Sequence, residues 1–157
     1  MKAVTINELK LELVNEKPAR LVELCIRLAR FKKENKELLT YLLFEAHDTE
    51  AYIASVKQVI DSEFETINKS NVYFVKKTLR KILRISNKFI RYSASNIVTT
   101  ELLIHFCKKI KGLEISINNN PVISNIYQNQ VKKINKAVAE MHEDLQYDYL
   151  KEMKSLS

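Results

Sequence analysis

Glycine is nearly missing from this chain: Gly112 is the single one in 157 residues, beside two prolines (Pro18, Pro121) and no tryptophan. Tight hairpins and left-handed turns draw on glycine, so a fold rich in strands would have almost nothing to turn with. The same shortage excludes the Gly-rich phosphate loop, the dinucleotide fingerprint and the nucleophile elbow, each of which repeats glycine at fixed offsets. Cys25 and Cys107 are the only cysteines, each with apolar residues nearby, Leu24 and Ile26 for the first and Phe106 and Ile110 for the second. That excludes a disulfide framework and reads as two free thiols acting as small hydrophobes. No run of 18 apolar residues exists, and charges interrupt the start of the chain where a signal peptide needs its apolar core. The expectation is a cytoplasmic protein with no membrane partner.

Histidine is scarce as well, at positions 47, 105 and 142. His142-Glu143 begins like the zinc-protease signature, but Gln146 stands where the second histidine belongs, one turn later on the same face. His105 and Cys107 point about 200° apart on a helix and form no pair within it, although a partner from another helix stays open. Glu101 and His105 are one turn apart, yet a di-metal site between helices needs a second such pair. His47 beside Asp48 reads as a helix start capped by Asp48. The carboxylates Glu140, Glu143, Asp144 and Asp148 lie opposite an apolar seam and read as a solvated face. No catalytic residue, metal ligand or cofactor site is expected, and the chain is read as non-enzymatic.

What is abundant is Leu, Lys, Glu, Ile and Asn, in a length that fits one domain burying roughly 70% of its unfolded surface. The expected fold is all-α: a single-domain bundle of six or seven helices over residues 1–157, with a short solenoid-like stack of helical hairpins as the alternative. Thr5 and Glu8 form a capping-box pattern that opens a helix to about Val14. Pro18 suits the first turn of the next, whose inner face reads Leu21, Leu24, Cys25, Leu28 and Phe31. A break near Asn35 precedes Leu38, Leu39, Leu42 and Leu43. Asp48 caps a helix with Tyr52, Val56, Ile60, Phe64 and Ile67 inward. Asn71 starts another, and a Ser-Ala-Ser-Asn break at 93–96 separates it from a helix carrying Leu102, Leu103, Phe106 and Ile110 that stops at Gly112. A loop over 113–120 leads to Pro121. From there Tyr127, Val131, Ile134, Val138, Met141 and Leu145 predict one long C-terminal helix with a coiled-coil-like seam.

One segment stands apart electrically. Between residues 66 and 100 there are eight Lys or Arg and no acid, in a chain of formal net charge +7. At helical spacing, Lys77, Arg80, Lys81, Arg84, Lys88 and Arg91 make a stripe about 21 Å long over a helix at 71–92. Val75, Leu79, Ile82, Phe89 and Ile90 fall on the opposite side. Tyr73 and Tyr92 project near the two ends of the stripe, about 29 Å apart by helix rise. Surface helices usually mix signs, and uncompensated like charges repel one another. The pattern predicts an interaction module that docks an anionic protein surface or nucleic acid, without sequence reading, on the basic face of this helix. Three other readings compete: an ordinary solvated outer face with no ligand, a stripe covered by the acidic C-terminal helix in the same chain or a second copy, and a homo-oligomer built on the 127–145 seam.

Overall fold

The structure is a computed structural model that describes residues 2–113 and 120–156. Every regular element among the described residues is helical, as glycine-poor composition dictates: α1 (Ile6–Val14), α2 (Pro18–Phe31), α3 (Lys33–Thr40), a π-helical turn (Tyr41–Glu45), α4 (Thr49–Glu65), α5 (Val72–Ser93), α6 (Asn96–Lys111), α7 (Pro121–Ala139) and α8 (Glu143–Met153), closed by a 3-10 turn (Lys154–Leu156). The chain divides into two compact units, Met1–Phe44 and Glu45–Ser157. Length and composition carried no mark of this division.

Helix starts follow local chemistry. The capping box at α1 is complete, with Glu8 N donating to the Thr5 hydroxyl and Thr5 N to the Glu8 carboxylate. Asp48, Asn71, Ser95 and Asn120 each accept from a backbone N–H of the first turn of α4, α5, α6 and α7. Two sequence expectations about boundaries are corrected. The break after α2 falls at Lys32, which is extended (φ −143°, ψ 146°), three residues before Asn35. Asn35 instead donates its amide to Leu28 O across the break, satisfying a carbonyl at the end of α2. The single long C-terminal helix is also overturned: α7 ends at Ala139, and His142 (φ −62°, ψ 147°) caps α8 through Nδ1. Gln146 donates to Ala139 O and Met141 O, so a side chain of α8 takes up the carbonyls that the break releases. Gly112 caps α6 with an ordinary right-handed φ of −71°, and the left-handed cap falls instead on Ala94 (φ 48°) after α5. Most of the expected loop at 113–120 lies outside the described residues.

In the larger unit the core is Val56, Ile60, Val75, Leu79, Ile82, Leu102, Leu103, Phe106, Ile110, Ile123, Ile134 and Val138, all essentially inaccessible. Burying each such side chain is worth about 1.5–3 kcal/mol. Helix α6 is central and packs on α4, α5 and α7, while α7 packs on α8. Polar pairs set the register. Lys57 with Glu101, Asp61 with His105, Asn96 with Glu140, Lys108 with Glu152, and Lys111 with Ser155 O are each 44 residues apart. A constant offset along two successive helix pairs means that α4, α6 and α8 run parallel and in step. The bundle is therefore ordered as stacked hairpins, although no 44-residue repeat is visible in the residues themselves.

The smaller unit is built differently. Among its described residues Tyr41 is the only buried one. Leu21, Leu24, Leu38 and Leu39 are half-buried, while Cys25, Leu28, Phe31, Leu42 and Leu43, expected inward, are exposed. A three-helix segment of this length has too little volume to surround so many apolar side chains.

Candidate functional site

The basic stripe lies on α5, whose Val75, Leu79, Ile82 and Ser86 are buried against the core. Ser86 was not among the expected core positions; it enters because its hydroxyl donates to Ile82 O within the same helix. Phe89 and Ile90 are half-buried. Lys77, Arg80, Lys81, Arg84 and Arg91 are exposed, so among the described residues no element of the larger unit covers the stripe.

Its members are not equivalent. Lys77, Arg80, Arg84 and Arg91 have no ion-pair partner among the described residues. Lys81 Nζ lies 2.7 Å from Glu63 Oε2 on α4, an ion pair without the alignment of a hydrogen bond. Lys88 is half-buried and places its ammonium 5.1 Å from the Phe89 ring centre and 6.0 Å from that of Tyr92. Tyr92 is half-buried edge-on to Phe89, whereas Tyr73 is 64% exposed and meets Phe74 edge-on. Only Tyr73 keeps the open ring that a stacking role requires. The acids Glu140, Glu143, Asp144 and Asp148 are exposed, and none pairs with the stripe.

The fold adds cations that the sequence pattern did not single out. Glu101 on α6 accepts from Lys57 of α4 (2.6 Å) and from Tyr149 of α8 (3.1 Å), so α4 and α8 flank one polar side of α6. Helices α5 and α7 each pack on α6 as well. Like α5, α7 contains no acid, and it exposes Lys132, Lys133 and Lys136 together with Asn125, Gln128 and Asn129. Acids are concentrated on α4 and α8. Charge is thus sorted by element, with α5 and α7 free of acids and α4 and α8 rich in them.

The remaining chemistry-bearing residues make contacts within the fold. Asp61 holds His105 at 2.7 Å and Lys109 at 3.0 Å. Burial pushes the Asp61 carboxyl up, but hydrogen bonds and charge from Lys109 and His105 outweigh it and hold the group below its ordinary value. Burial pushes the Cys107 thiol up to about 12, which removes it as a nucleophile near neutral pH. Burial likewise raises Tyr127, to about 12, and its hydroxyl donates to Leu156 O at 2.5 Å. Tyr149 is raised by burial and by the Glu101 carboxylate. His142 serves as a cap, and among the described residues no three His, Cys, Asp or Glu side chains gather as metal ligands. No helix among them is long and apolar enough to cross a membrane. Tyr127, Ile134 and Val138 of the expected seam are buried within the chain's own core, and α7 stops before Leu145. The seam is therefore not a free interface.

No protein-family model matches the chain, and none of the curated proteins or solved structures compared with it gives a match.

Proposed function

We propose that the protein is a non-enzymatic helical module that docks an anionic partner, a nucleic-acid backbone or an acidic protein surface, on the basic helices of its larger unit. The observation that carries this reading is the row Lys77, Arg80, Arg84 and Arg91: exposed, spaced along α5, and without carboxylate partners among the described residues. Repulsion within such a row costs stability that an anion recovers. Lys132, Lys133 and Lys136 on α7 extend the exposed cations beyond one helix, and Asn125, Gln128 and Asn129 supply the neutral donors that phosphate contacts commonly use. Recognition here is electrostatic and tolerant of sequence, with dissociation constants on the order of 10⁻⁴–10⁻⁶ M at physiological salt.

The test is a titration of the full chain against single-stranded and duplex DNA, RNA and poly-glutamate, with the variant R80E/R84E as control. Wild-type binding to one of these ligands, weakened at least tenfold in the variant, supports the reading and names the partner class. Equal behaviour of both proteins toward every ligand overturns it.

A further inference from the structure

The smaller unit carries a surface that the basic helices do not explain. In residues 4–44, thirteen large apolar side chains are between 43% and 81% exposed, among them Ile6, Val14, Val22, Leu28, Phe31 and Phe44. Together, over the three helices, they present on the order of 1,000 Å², comparable to the roughly 800 Å² per partner that a stable complex buries. Helix α2 shows why so much is left open. Its charged residues Arg20, Glu23, Arg27 and Arg30 occupy a narrow arc, and apolar residues fill the rest of its circumference. Neighbouring α1 and α3 are too short to cover that circumference. A helix lying on a lipid surface would need the opposite balance, with a broad charged side facing water.

We propose that this surface closes on the same surface of a second copy of the chain. Two features of the unit make it self-complementary. The first is charge. The segment of α1 and the turn after it holds Glu8, Glu12 and Glu16 against Lys10 and Lys17, while α2 holds Arg20, Arg27 and Arg30 against Glu23. Arg20 pairs with Glu23 at 3.0 Å, and Arg27, Arg30, Glu12 and Glu16 have no ion-pair partner among the described residues. A two-fold interface places each surface against its twin, so an acidic half and a basic half on one unit satisfy each other across the axis. The second is pattern. The apolar positions of α2, Pro18, Leu21, Leu24, Cys25, Leu28 and Phe31, are spaced symmetrically about the bond between residues 24 and 25. An antiparallel pairing of two such helices sets Leu21 against Leu28 and Leu24 against Cys25.

Light scattering on the full chain across a wide concentration range reads the outcome. Twice the mass of one chain is expected for wild type, and the mass of one chain for L28E/F31E, whose substituted positions are exposed and leave the core of residues 45–157 intact. A charge test separates loss of pairing from loss of folding. The variant R27E/R30E and the variant E12R/E16R are each expected to be monomeric alone and to form a mixed dimer together, since only the mixed pair restores opposite charges on both sides. A wild-type monomer at every concentration, including one that floats with lipid vesicles, overturns the proposal. So does a dimer that survives L28E/F31E.

Discussion

Asp61 illustrates how a single carboxylate ties two helices. It accepts from His105 and Lys109 one turn apart on α6, and its depressed titration means that the fold prefers the charged form. The resulting stability is complete above the ordinary carboxyl value of 3.8 and is lost as pH falls through the lower value held in the fold. D61N should therefore melt below wild type near neutral pH, with the gap closing in acid below about pH 4. A gap of the same size at both pH values would deny the pairing its role. Because Asp61 is partly open to solvent, the expected effect is small. None of this was legible in the sequence, where Asp61 and His105 are 44 residues apart and nothing local links them. Cap residues were legible: Thr5, Asp48 and Asn71 act on backbone groups two or three residues away, so their chemistry is written next to its target.

Among the elements, α5 was read from its charge and apolar spacing almost to the residue, because both patterns belong to one continuous helix. The join between α7 and α8 was not. Apolar spacing runs on through Met141 to Leu145, and the break depends on Gln146 reaching back to the Ala139 and Met141 carbonyls. A local clue was present in Glu143 and Asp144, since two acids in a first turn favour a helix N-terminus. The end of α5 holds a second surprise. Ala94 takes the left-handed conformation that glycine usually fills, donating its N–H to Ile90 O. A Cβ there costs about 1–2 kcal/mol, and glycine returns about 0.5–1 kcal/mol of that through its greater unfolded-state freedom. A94G is expected to raise stability by about 0.5 kcal/mol in urea denaturation. A lower midpoint would mean that the alanine methyl makes contacts worth more than the strain.

At the level of the whole molecule, acids gather on α4 and α8 while α5 and α7 carry none. Among the described residues, seven exposed cations without ion-pair partners lie on α5 and α7: Lys77, Arg80, Arg84, Arg91, Lys132, Lys133 and Lys136. If all seven meet phosphates, the logarithm of the binding constant should fall against the logarithm of salt concentration with slope near −5 for single strands and −6 for duplex. The variant K132A/K133A/K136A should flatten that slope by about 2. An unchanged slope would confine the footprint to α5.

Composition and local spacing were sufficient for the all-helical class, for the positions of most caps and for the cationic stripe, because each depends on neighbours within a few residues along one helix. Tertiary packing decided the rest. It joined Lys81 to Glu63, set Lys88 against Phe89 and Tyr92, broke the C-terminal helix, and packed both α5 and α7 on α6. It also left the apolar residues of α1 to α3 in the open, since hydrophobic spacing marks a face for burial without saying which surface buries it.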